Sequence, residues 1–124
     1  MIRALMKSLP IWYAPDQDYG RKVSIFVPFF AVEKAATVTG VHDLSKIKNT
    51  LVQPSWTIRV KDGYRLYVSA PLDNFPTEDE VADTARCNRV IEDMIRIAPE
   101  QYLWLHRRFK TAPEGEPSRY PEIK

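Results

Sequence analysis

The sequence holds a single cysteine, Cys87, two histidines, four glycines and a net charge of only +2. One cysteine excludes an internal disulfide and any multi-cysteine metal site, and points to a reducing compartment. So small a charge, with no nucleic-acid motif beside it, argues against a nucleic-acid partner. No apolar run is long enough to span a bilayer. The first residues, MIRALMK, lack the long apolar region of a signal peptide. Internal repeats are absent. Proline, by contrast, is frequent: ten residues of it cut the 124-residue chain into short elements. That length suits one domain with a modest core.

Taken in order, Ile2, Leu5, Met6 and Leu9 have helical spacing, so Met1–Leu9 is expected to be a short helix with a buried stripe, ended by Pro10. Ile11–Ala14, between two prolines, reads as a buried strand. Pro15–Lys22 is a loop carrying Asp16 and Asp18. Two readings stay open there: ordinary capping aspartates, or ligand-binding groups just past the carboxyl end of a strand. Val23–Val32 is apolar and aromatic, but Pro28 bars a regular central strand, so an irregular wall is expected, with Phe26, Phe29 and Phe30 as core. Ala35–Gly40 leads to a weak helix over Val41–Lys48, with Thr39 as its cap and His42 on the surface. Leu51–Val60, interrupted at Pro54, pairs with the alternating Tyr64–Ala70 through a Lys61-Asp62-Gly63 turn. Thr77 and Glu80 form a capping box for a helix to Ile97, whose inner stripe is Val81, Ala85, Asn88, Ile91 and Ile95.

Pro99–Lys110 is expected to be another short helix, with Tyr102, Leu105, His106 and Phe109 on one face. Arg107, Arg108 and Lys110 crowd its end. They suit either the negative end of a helix dipole or an anion such as phosphate or carboxylate. His106, by position, is a hydrogen-bonded core histidine. The order α-β-loop-α-β-β-α-α gives a mixed α/β chain built in layers.

These stretches together resemble a known family. IWYAPDQDYG, SIFVPFFAVEKAATVTG, Pro54, GYRL and APEQYLWLHRRFKTAPEGEPSRY fall in order, and over essentially the whole chain they look like the C-terminal half of the late acyltransferases of lipid A biosynthesis, the lauroyl and myristoyl transferases of the lysophospholipid acyltransferase superfamily. Arg21 departs from the pattern, which has proline after Asp-Tyr-Gly. The resemblance implies a partial layered αβα fold, with a mixed sheet, flanking helices and a β-hairpin. Residues 1–110 would form the C-terminal portion of an acyltransferase domain and 111–124 a Pro/Gly-rich tail.

It also implies an enzyme that moves a fatty acyl chain from an acyl carrier protein thioester to a phosphorylated, Kdo-bearing glucosamine lipid. Such enzymes work at the cytoplasmic face of the bacterial inner membrane, with neither cofactor nor metal. Their catalytic motif, His-x-x-x-x-Asp, is absent here: Ile47 stands five residues after His42 and Thr111 five after His106. The chain is therefore expected to be part of a longer protein, inactive alone, with its catalytic pair encoded earlier. Asp16, Asp18, Tyr19, His106, Arg107, Arg108 and Lys110 are the implied substrate-binding residues. The alternative is a non-catalytic module of the same descent that binds anionic lipid or a partner, or self-associates through an exposed sheet edge.

Overall fold

The structure, a computed structural model, describes residues 1–120. Its elements are α1 (Ile2–Leu5), β1 (Ser24–Phe29), β2 (Val32–Val38), α2 (Gly40–Ser45), β3 (Ser55–Val60), β4 (Gly63–Val68) and α3 (Glu80–Ile97). The chain is mixed α/β, as its pattern indicates. Its strands pair as two separate antiparallel hairpins, β1–β2 and β3–β4, and not as one mixed sheet.

The β1–β2 hairpin is the inner one. Val27, Phe29 and Ala35 to Val38 are buried. Pro28 lies where the register shifts between Val27 and Phe29, so the residue without an N–H falls at a bulge. The stretch expected to be an irregular wall is thus a strand with one irregularity. Ala35–Val38, expected only to lead into a helix, is part of β2. Four small or branched residues in a row are what a strand with both faces covered tolerates. Phe29, Ala35 and Ile95 form the core, with Phe30, Val32, Ile91, Tyr102 and Phe109 packed around them. Phe29 is thereby confirmed as core; burying such a side chain is worth about 2–3 kcal/mol.

α3 lies across this hairpin. Its cap is Asp79, whose Oδ1 accepts the Ala82 N–H at 2.9 Å. The Thr77 capping box does not form, because the Thr77 hydroxyl and N–H both go to the Asp83 carboxylate, at 3.0 and 2.7 Å. The inner stripe is more polar than expected: Asp83, Thr84, Cys87, Asn88, Glu92 and Ile95 are buried while Val81 is exposed.

Several expected elements are shorter or absent: β3 starts at Ser55 rather than Leu51, α2 ends at Ser45 rather than Lys48, and three others change more. α1 ends at Leu5, and Ile2, Met6 and Leu9 are exposed, so no buried stripe forms. Residues 11–14 form no strand, and Trp12 is 81% exposed. That run has no neighbouring strand among the described residues to satisfy its backbone. After a single 3₁₀ turn at Pro99–Gln101, residues 102–110 are a chain of tight turns. The N–H groups of Trp104, His106, Arg108 and Lys110 bond carbonyls two or three residues back, not four. Leu105, expected on the buried face, is 91% exposed. A helix this short is marginal on its own, and here other partners claim its side chains: Trp104 donates to the nearby Pro99 carbonyl and Phe109 packs on the distant Phe29.

The tail is tied down through Tyr120. Arg119 donates to the carbonyls of Thr111 and Lys34, and the Tyr120 hydroxyl accepts the Phe109 N–H. Residues 121–124 of the expected tail lie outside the described residues.

Candidate functional site

Asp18 joins the two stretches that the sequence singles out. Its carboxylate accepts the Gly20 N–H at 2.9 Å, closing an Asx turn in the Pro15–Lys22 loop. The same carboxylate accepts the Thr111 N–H and hydroxyl, each at 2.8 Å. The Asp18 N–H in turn donates to His106 Nε2 at 3.2 Å. The imidazole is therefore an acceptor on that side, with its own proton on Nδ1. Arg21 adds a fourth link, donating to the Ala112 carbonyl at 2.7 Å. Residues 88 to 93 positions apart thus share one surface. Asp18 is buried, Asp16 and His106 are half-buried, and Tyr19 is exposed.

The cations do not sit together. Arg108 points inward and is only 2% exposed. Its Nη1 donates to the Ala36 carbonyl at 2.6 Å and its Nη2 to Thr37 Oγ1 at 2.9 Å, while the guanidinium lies 4.8 Å over the Phe29 ring. Asn88 on α3 reaches the same hydroxyl at 3.1 Å and the Pro28 carbonyl at 2.8 Å. One buried polar network therefore ties both strands of the inner hairpin to α3 and to the 106–112 segment. Burial pulls the Arg108 pKa down, and Tyr102, Asp18 and Asp16 oppose that pull. Burial, reinforced by Asp16, raises the Tyr102 phenol. Arg107 and Lys110 are exposed on the outside, Arg107 stacked 4.8 Å from the Tyr120 ring.

His42 corrects its expected surface position: it is 1% exposed, with Nδ1 2.9 Å from Asp83 Oδ2. Burial drives the Asp83 carboxyl up, but the Thr77 N–H, His42 and the Thr77 hydroxyl outweigh it and hold the group below the ordinary carboxylate range. Nothing in the spacing of residues 42 and 83 announces this pair, because it forms between two helices that only the fold brings together. Thr37 and Arg21 are likewise invisible as anchors in the sequence. Cys87 is buried, and its thiol is pushed up to about 11 by burial and by Asp83. It is an inert thiol at neutral pH.

Two hollows flank these groups. One, of about 630 Å³, is bordered by Tyr13, Tyr19, Lys22, Thr39, Asp43 and Glu80. The other, of about 660 Å³, is a mostly apolar groove between the N-terminal segment, residues 49–56 and α3; Leu5, Ile11, Leu51, Leu72, Ile91 and Met94 line it. No helix among the described residues is long and apolar enough to cross a membrane.

Residues 1–111 match the family model described as bacterial lipid A biosynthesis acyltransferase. The chain is 50% identical over 122 residues to the lipid A biosynthesis lauroyltransferase of Escherichia coli K12, and 48% identical to the palmitoleoyltransferase of the same organism; 97% of this chain is covered in each case, and 40% of the relative. A lipid A biosynthesis acyltransferase of Haemophilus influenzae is 49% identical over 124 residues, again 40% of its length. The chain thus spans about 40% of the length of these relatives. With the match running from Met1 to Thr111, through both hairpins, α3 and the Asp18–Thr111 junction, the chain belongs to the bacterial lipid A biosynthesis acyltransferase family.

Proposed function

We propose that this chain carries the acceptor-binding side of a lipid A acyltransferase, one that moves a fatty acyl chain from acyl carrier protein to a phosphorylated, Kdo-bearing glucosamine lipid at the cytoplasmic face of the inner membrane. In this reading the described elements are one part of a layered αβα fold, residues 1–110 being the domain portion and 111–124 its tail. The general base and its carboxylate partner, the His-x-x-x-x-Asp pair, come from the length of the relatives that this chain does not span. Neither histidine here can take that role by spacing, and His106 Nε2 already accepts the Asp18 N–H.

The observation that carries the reading is the Asp18 junction, set within a chain about half identical to a lauroyltransferase. It places the Asp16–Tyr19 loop beside the 106–112 segment. Roles then divide by burial and bonding: Asp18 and Arg108 are buried, and half-buried His106 is held by the Asp18 N–H. Asp18, His106 and Arg108 shape the surface from within. Asp16, Tyr19, Arg107 and Lys110 face the acceptor, the two cations meeting its phosphates and carboxylates.

The test is reconstitution. The chain alone, given acyl carrier protein thioester and a Kdo-bearing lipid A precursor, is expected to show no turnover. Co-expressed with the preceding portion of the E. coli lauroyltransferase, it is expected to restore turnover. In the reconstituted enzyme, Arg107→Ala and Lys110→Ala are expected to raise the acceptor KM roughly tenfold each, about 1.4 kcal/mol of lost binding, and to leave the donor KM unchanged. Turnover by the chain alone, or equal losses on donor and acceptor, would overturn the assignment.

A further inference from the structure

His42, Asp43 and Glu80 each present one ligand-type atom, and the three lie within 4.8 Å of one another, the one such group among the described residues. We propose that these three side chains, joining α2 to the first residue of α3, bind one divalent first-row metal ion of the zinc class. This proposal does not rest on the acyl-transfer reading.

Two carboxylates held this close repel each other, with the Asp83 carboxylate just behind. A cation between them removes that repulsion. Crowded acids alone would not identify a ligand; the histidine does. His42 Nδ1 is committed to Asp83, whose other acceptor capacity is taken by Thr77. With its proton on Nδ1, the ring keeps its lone pair on Nε2. That atom is buried and has no hydrogen-bond partner among the described residues. A buried acceptor left unpaired is unfavourable, and metal coordination removes that cost. Asp83–His42 is then the carboxylate–histidine pairing that fixes the tautomer and orientation of a metal-bound imidazole.

Asp43 is preset in the same sense. Thr39 Oγ1 donates to its Oδ2 at 2.8 Å, and its second oxygen takes no side-chain hydrogen bond among the described residues. One imidazole and two carboxylates suit Zn²⁺, with metal–ligand distances near 2.0–2.2 Å, better than they suit Mg²⁺, which prefers oxygen donors alone. Asp43 is exposed and Glu80 half-buried, so their side chains have room to close the 4.8 Å spread onto one ion. Both also border the 630 Å³ hollow, which supplies water for the remaining position.

The experiment is a calorimetric titration of the full chain with Zn²⁺ as its chloride, paired with ¹⁵N imidazole spectra. Expected are one ion per chain, a shift of the His42 Nε2 resonance with the Nδ1 proton retained, and no competition from equimolar Mg²⁺. Asp43→Asn and Glu80→Gln are each expected to weaken binding at least tenfold, and Glu100→Gln, on the exposed turn after α3, to leave it unchanged. These variants alter accessible side chains, so the test stands even if His42→Ala fails to fold. No saturable binding would overturn the proposal. So would binding that Asp43→Asn and Glu80→Gln leave intact, or that shifts His106 instead of His42.

Discussion

Arg108 looks in the sequence like one of three clustered cations, yet its work is internal. Its fork fits two acceptors at once, the Ala36 carbonyl and the Thr37 hydroxyl, and its flat face covers Phe29. Lysine offers neither the fork nor the plane. Arg108→Ala is therefore expected to lower stability by about 3 kcal/mol or more, since it strands buried acceptors and opens a cavity. Arg108→Lys should recover only part of that, and urea denaturation followed by circular dichroism reads both. Cys87 gives a second residue-scale prediction. Burial, with Asp83, pushes its thiol up to about 11 in the folded chain, against 9.0 ordinarily. The folded state thus keeps a proton that the unfolded chain releases first. The resulting stabilisation is complete below about pH 9 and is lost as pH rises through 11. Comparing urea midpoints of the wild type and Cys87→Ala between pH 8 and 11 should show a steeper fall in the wild type.

At the scale of elements, α3 holds the inner hairpin through polar contacts as much as apolar ones. Phe30, at the turn between β1 and β2, has φ of 51°, a conformation costly for a bulky residue. Its N–H is held by Glu92 Oε1 at 2.8 Å, and Glu92 is itself paired with Arg96 at 3.0 Å. Glu92→Ala should cost about 2 kcal/mol. It should also speed hydrogen exchange at the Phe30 amide far more than at amides in the centre of α3. Uniform acceleration across both elements would mean that Glu92 serves overall stability and not the turn. The other hairpin is held at its border by a side chain. Gln101 donates to the Arg59 carbonyl at 3.0 Å and accepts the Arg59 N–H at 2.8 Å, acting as a one-residue strand.

On the scale of the whole molecule, β3–β4 leaves one face in solvent: Tyr64, Leu66 and Val68 point the same way and all are exposed. An apolar face on a two-stranded sheet invites association. Light scattering of the chain is expected to show mass rising with concentration, and Leu66→Lys to suppress that rise; a monomer at every concentration would refute it. The β3–β4 hairpin, α3 and the buried Phe29 were legible in the sequence because each rests on local periodicity or turn chemistry. The Asp16–Tyr19 loop and the 106–112 segment stood out as candidates for the same reason, through composition. Their junction at Asp18 was not legible, nor was the division of Arg107 and Lys110 from Arg108. Spacing cannot tell an inward arginine from an outward one when no helix fixes the direction of the side chains.

What the amino-acid order determined alone was the family and the mixed α/β character, since landmark stretches and short-range patterns survive without coordinates. What only the tertiary structure decided was every contact with long separation: the Asp18 junction, the Arg108 network and the buried His42–Asp83 pair. Buried polar groups must find partners wherever the fold brings them, and for those groups distance in space outweighs nearness in the chain.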